Sequence, residues 1–298
     1  MMKLVFFLLF LYLFLAYALR WFVVSNSPEF QKKHGERTLF TGFFDRFLSV
    51  VYLFFMEYCS YAMAITLLIA DYFYNCLIIF FKPKKNPTPA SDEKKPVLLI
   101  HGYMMRGWTL MYIKKRLKKD GWNQAYTWSY IPPFKNIPYY AGQLKNKVND
   151  ILDETSQTKI VLIGHSMGGL LARYYISHLD GKSCVEKLIT IGTPHKGTQL
   201  WSFTFSPCGM DMRPGSTFLK KLRVIPATIK TLSIYSSFDE IILPYKNSQI
   251  KGKNILNKEF DDLGHMRLIF NPHVYKEIRL FLSKSDSGLD NNYSQKVK

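Results

Sequence analysis

The chain has 298 residues, 48% of them hydrophobic, and its 40 Lys and Arg against 22 Asp and Glu give a formal charge of +18. Its mean hydropathy of −0.06 is that of an ordinary soluble protein, but the average misleads, because apolar residues crowd into the first 81 positions. The basic balance raises nucleic acid as a partner, yet no finger, RNP-like segment or basic recognition helix accompanies it, so nucleic-acid binding is set aside in favour of anionic lipid headgroups.

Residues 4–24 (LVFFLLFLYLFLAYALRWFVV) are apolar apart from Arg20, and at about 1.5 Å per residue a helix of this length crosses a bilayer. A cleaved signal peptide is the rival, since Lys3 precedes the run and Ala16-Tyr17-Ala18 resembles a cleavage site; Trp21 to Val24 continue the run past it and favour a span. A second apolar stretch over 47–81 is interrupted only by Glu57 and Asp71. It predicts a second span over about 58–81, stopped by Lys82, Lys84 and Lys85, with its two acids facing protein or an interface. Residues 83–95 (PKKNPTPASDEKK) are proline-rich and charged and read as a linker. The expected organisation is therefore a membrane region over 1–82, a linker over 83–95, a globular domain over 96–283 and a disordered polar tail over 284–298.

From Pro96 onward, short β-rich runs alternate with amphipathic helical stretches. Strands are expected over 97–100, 125–130, 159–163, 185–191 and 231–235, with a strand-like run near 254–256. Helices are expected over 109–119 and 170–179, and where Tyr140, Leu144, Val148, Ile151 and Leu152 recur at helical spacing. A terminal helix over 272–282 opens with Asn271 as its cap and Pro272 at its first position. This alternation predicts an α/β class with parallel strands and helices on both faces. Of the four cysteines, Cys59 and Cys76 lie in the apolar region; Cys184 and Cys208 lack metal or CxxC spacing and read as thiols, with a disulfide between them as the alternative in an oxidising compartment.

The stretch KIVLIGHSMGGLLARYY over 159–175 sets Gly164-His165-Ser166-Met167-Gly168 between an apolar strand and a helix. That is the pattern of a nucleophile elbow: small residues at 164 and 168 permit a sharp turn that exposes the Ser166 hydroxyl at a helix N-terminus. His101-Gly102-Tyr103 follows the strand over 97–100. On such a fold the loop after that strand and the residue after the nucleophile each supply one backbone N–H to an oxyanion hole, here Tyr103 and Met167. His101 itself also reads as a packed histidine.

With PVLLIHGY, VLIGHSMGG, YYISHLDG, IGTPHKGT, SIYSSFDEIILP and GHMRLIFNPHVY in this order, the region from Pro96 to about Leu282 resembles the bacterial triacylglycerol lipases, especially the small, nearly lidless Bacillus type. The first 81 residues are no part of that resemblance. It implies an α/β-hydrolase fold, a mostly parallel sheet flanked by helices, here preceded by transmembrane helices. It also implies cleavage of acyl esters, with no metal and no cofactor; the apolar first 81 residues add the expectation that the enzyme is anchored in a membrane, taken as a bacterial inner membrane.

The chain order Ser, acid, His then selects Asp239, just after a strand, with Glu240 as its competing neighbour. His265 is the expected base; His273, in the first turn of the terminal helix, is the other histidine after the acid. His165, His178 and His195 read as packing or loop residues. Trp201, Phe203 and Phe205, in a stretch too short for a large lid, are candidate acyl contacts or simply cover the sheet. An acyltransferase with the same acyl-enzyme, a small-ester carboxylesterase and a non-catalytic membrane protein are the alternatives; the last would have lost a triad member, and none is missing.

Overall fold

The computed structural model describes residues 11, 15, 39–80, 94–204 and 206–284, with side chains between 39 and 80 described at 48, 51–71 and 73. Apart from positions 11 and 15, the expected helix over 4–24 lies outside the described residues, as does its rival cleavage site. So do the basic stop, most of the linker, Phe205 and all but the first position of the tail.

The second apolar stretch forms one helix, α1 (Leu39–Phe80), 42 residues long and so starting well before position 58. No proline interrupts it, and at about 1.5 Å per residue it extends roughly 60 Å. Its window Val51–Asp71, with a mean hydropathy of 1.7, makes it the one helix among the described residues long and apolar enough to cross a membrane. Yet this window does not stand free. Phe54, Glu57, Ser60, Ala64 and Asp71 recur on one face and are buried. Leu48, Tyr52, Phe55, Met63, Ile69 and Phe73 form an exposed apolar stripe.

After it come β1 (Val97–Ile100), α2 (Met111–Lys119), β2 (Ala125–Trp128), α3 (Ile137–Thr155), β3 (Ile160–His165), α4 (Met167–His178) and β4 (Val185–Ile191). The chain continues through α5 (Pro207–Asp211), α6 (Thr217–Lys221), β5 (Lys230–Ser236), β6 (Ile255–Phe260), α7 (Arg267–Phe270) and α8 (Pro272–Ser283). The six strands pair in parallel in the order β2-β1-β3-β4-β5-β6. All four residues of β1 and all six of β3 are buried, as a parallel sheet covered on both faces requires.

The alternation of side chains along each strand divides the core into two layers. Leu98, Ile100 and Leu162 pack with Leu144, Val148 and Leu170 of α3 and α4. Val97, Leu99 and Ile163 pack with Ile113 and Leu117 of α2, Val274 and Ile278 of α8, and Ala64 of α1. The apolar helix thus contributes to the core of the domain that follows it.

Element ends differ modestly from the sequence pattern. A 3-10 turn over Gly107–Leu110 precedes α2, β2 stops at Trp128 so that Tyr130 turns inward, and β6 runs on to Phe260. Asn271 caps α8 as expected, its side chain accepting from the His273 and Val274 amides. Cys184 and Cys208 are free thiols, one 3.0 Å from the Tyr175 hydroxyl and the other 3.4 Å from that of Ser206.

Candidate active site

In an open parallel sheet, sites form beyond the carboxyl ends of the strands where the winding reverses, which here is between β1 and β3. Ser166 stands at that point, between the end of β3 and the start of α4, with φ 53 and ψ −125. A non-glycine residue so placed is strained, and the surroundings must hold it. They do so by close approach. A Cβ on Gly164 would come within 2.6 Å of the Gly169 backbone, and the Ser166 amide donates to the Ile191 carbonyl at 2.8 Å.

The loop after β1 reaches the same place, since a Cβ on Gly102 would lie 2.9 Å from Cβ of Ser166. His101, buried and stacked on Tyr130 with ring centroids 4.0 Å apart, is the packed histidine its position allowed; burial lowers its pKa to about 3. The Tyr130 hydroxyl lies 3.0 Å from the carbonyl oxygens of both His101 and Gly102. In a trans peptide the N–H opposes the C=O, so the Tyr103 N–H is turned away from Tyr130. Met167, as the first residue of α4, presents an amide that the helix itself leaves unpaired.

Asp239 and His265 are brought together from β5 and the loop before α7: His265 Nδ1 lies 2.8 Å from Asp239 Oδ2. The other carboxylate oxygen, Oδ1, accepts the Ile241 and Ile242 amides at 2.9 and 2.8 Å, so the acid is fixed from both ends. Gly192, at φ +54 and next to the Ile191 carbonyl that holds Ser166, lies beneath the pair; a Cβ there would sit 3.1 Å from the imidazole and 3.2 Å from the carboxylate. His165 completes the link, its ring centroid 4.8 Å from that of His265. Burial makes the imidazolium of His265 costly, but the charge and hydrogen bond of Asp239 and the charge of Glu240 outweigh it and raise the pKa. The His165 and His195 pKa values are lowered mainly by burial, and His195 is a loop residue bonded to Thr190. His273 sits on the exposed first turn of α8.

A cavity of about 180 Å³, mostly apolar, opens on Ser166. Trp201 and Phe203 line it, together with residues that no sequence pattern singled out: Leu200, Met212, Ile241 and Ile242. Between β4 and β5 the excursion holds a 3-10 turn over Gln199–Phe203 and the five-residue helices α5 and α6, so no long helix covers the cavity from this segment.

In the sequence Glu240 stood out only as a neighbour of the acid and Glu57 only as an acid expected to face protein or an interface, while Tyr61 and Tyr130 carried no signal of their own. The Glu240 carboxylate is buried and accepts the His265 amide at 3.0 Å; burial, then Asp239, pushes its pKa up. The Tyr61 hydroxyl donates to its other oxygen at 2.9 Å. Glu57 accepts the next two amides, Met266 and Arg267, at 2.6 and 3.0 Å. The available signal was an acid inside an apolar helix, which implies a protein partner without naming it.

A family profile described as a PGAP1-like alpha/beta domain matches residues 139–207, the stretch that contains the elbow. A GPI inositol-deacylase of Candida albicans is 25% identical over 169 residues, covering 50% of this chain and 39% of its own length. A triacylglycerol lipase of Pseudarthrobacter phenanthrenivorans is 43% identical over 61 residues, 20% of this chain and 18% of its own. The chain therefore spans about two-fifths or less of these curated relatives. The crystal structure of Aspergillus fumigatus lipase B superposes with a TM-score of 0.57 at 19% identity, over 65% of this chain and 53% of that one, which is a likeness of fold.

Proposed function

Since the chain has the α/β-hydrolase fold, we propose that it is a serine ester hydrolase of the lipase or carboxylesterase type, held at a membrane, with Ser166, Asp239 and His265 as its triad. What carries the reading is the buried 2.8 Å bond from His265 to Asp239 beside a strained serine at the switch point of the sheet.

In this mechanism His265 takes the proton of Ser166 as the oxygen attacks an acyl carbonyl, and Asp239 keeps the imidazole in the right tautomer and stabilises its charged form. The amides of Tyr103 and Met167 receive the oxyanion, and the dipole of α4 adds to them. The alcohol leaves with the proton from His265, an acyl group remains on Ser166, and water releases it by the reverse proton path. Besides the ester and water, these steps draw on side chains and backbone amides of this chain.

The apolar cavity with Trp201 and Phe203 suits an acyl chain, and the reading extends to medium- and long-chain esters of membrane glycerolipids, with peptides excluded. The Candida relative's name describes removal of an acyl group from inositol, which supports an acylated lipid headgroup as substrate. Membrane attachment is part of the same reading: the apolar run over 4–24 would anchor the chain as an integral protein, and the exposed stripe of α1 would face lipid. The domain boundaries over 83–95 and 96–283 belong to it as well.

The test is a series of p-nitrophenyl esters from two to sixteen carbons with the full chain and with Ser166→Ala. Activity rising towards about eight carbons or more fits burial of about 0.8 kcal/mol per methylene. Loss of both turnover and fluorophosphonate labelling in Ser166→Ala is expected; labelling that persists sinks the nucleophile. Acylation of an added alcohol in place of release of the free acid would make the chain an acyltransferase.

A further inference from the structure

The two acids that interrupt the apolar helix both end on loops that flank the candidate site. Glu57 is fully buried, and its oxygens accept the amides of Met266 and Arg267, the two residues after His265. One turn further along α1, the Tyr61 hydroxyl bonds Glu240, whose other oxygen accepts the amide of His265 itself. Three consecutive backbone N–H groups are thus held by two carboxylates, one of them on α1 and the other bound to α1. Some four turns beyond Glu57, Asp71 pairs with Arg106, three residues past Tyr103.

We infer that Glu57 is a positioning residue for His265, and that the seat of α1 on the domain sets the backbone from which this imidazole meets Asp239 and Ser166. A buried carboxyl group is costly unless its oxygens are satisfied, and here the compensation is supplied by two hydrogen bonds from the loop that carries the base. A helix that served only as a tether would need no acid at this position; lipid or the domain's apolar surface would accept a leucine. The bond is made 209 residues along the chain, so it couples the apolar region to the base directly. The inference rests on the reading of His265 as general base.

The experiment uses the full chain in detergent micelles, with p-nitrophenyl octanoate turnover expressed per site titrated by a fluorophosphonate. Glu57→Gln keeps the shape of the side chain but turns one acceptor into a donor facing a donor. It is expected to lower kcat per titrated site about 10- to 100-fold with KM within about twofold, because a shift of the base by a fraction of an ångström misaligns proton transfer. Glu57→Asp should recover part of the loss, and Tyr61→Phe, which frees Glu240 on one side only, should lose about 3- to 10-fold.

Wild-type turnover per titrated site in Glu57→Gln, even with fewer sites titrated, would overturn the inference, because Glu57 would then support folding alone. An equal rise in KM with kcat unchanged would overturn it too. Ser166→Ala, assayed in parallel, separates the two levels. An inactive Ser166→Ala beside a fully active Glu57→Gln removes the positioning role and leaves the hydrolase reading; an active Ser166→Ala removes both.

Discussion

At His265 the pH dependence of the proposed reaction is decided. Burial alone would lower its pKa, but Asp239 and then Glu240 favour the imidazolium and carry it above the ordinary value of about 6.5. A general base works when neutral, so activity should fall as pH drops through this raised pKa, and the acid limb of kcat/KM should lie above that of free imidazole. Glu240→Gln removes one of the raising charges and retains an acceptor for the His265 amide, so the limb should move to lower pH; a limb that stays or rises would show that Glu240 does not act on the ring. Asp239→Asn should cost orders of magnitude in kcat. His273→Ala, on an exposed helix turn, should change turnover by less than about twofold.

The elements that meet at the sheet edge tolerate little change. Gly164 lets β3 turn into α4, and an added methyl there meets backbone rather than a flexible side chain. Gly164→Ala should therefore destabilise the protein by about 1–3 kcal/mol and displace Ser166, read as a lower unfolding temperature together with slower fluorophosphonate labelling. Beside it, the loop after β1 is oriented by the single hydroxyl of Tyr130. Tyr130→Phe keeps the stack on His101 and loses only that anchor; about a 10-fold fall in kcat is expected, less than the roughly 10²- to 10³-fold cost of losing an oxyanion donor itself. An unchanged kcat would mean that the His101–Gly102 carbonyls need no such hold.

For the whole molecule the proposed membrane attachment raises the question of which force would supply it. Charge and apolar area make different predictions, because at about 1 M salt the Debye length shrinks to roughly 3 Å and surface attraction is lost. With an apolar run over 4–24 and an outer stripe on α1, the chain should stay with membranes after washing in high salt and in alkali and leave only with detergent; release by salt alone would assign the affinity to the +18 charge. A chain begun at residue 94 would uncover the surface that Ala64 covers and leave the amides of Met266 and Arg267 without Glu57. It should be poorly soluble or of low turnover even where it folds, and full activity in that form would show that the helix is a tether.

Local chemistry was readable from the chain itself. The strand–turn–helix around Ser166, the alternation that yields a parallel sheet, the cap at Asn271 and the crowding of apolar residues before position 82 follow from propensities and periodicities acting over a few residues. The choice of Asp239 over Glu240 needed a resemblance to be proposed, because two adjacent carboxylates have the same local pattern. Their contacts differ only in three dimensions: Asp239 meets the imidazole of His265, and Glu240 its backbone amide. Tyr130 beneath the loop after β1, Ile241 and Ile242 in the cavity, and above all Glu57 on α1 were decided by tertiary structure alone. Their partners lie from tens to two hundred residues away, and a hydrogen bond between distant groups leaves no period in the sequence. Hydropathy assigned α1 to lipid because it averages over all sides of a helix, whereas the fold treats the sides separately, burying the one that carries Glu57 and Asp71 against the domain and leaving the other apolar and exposed.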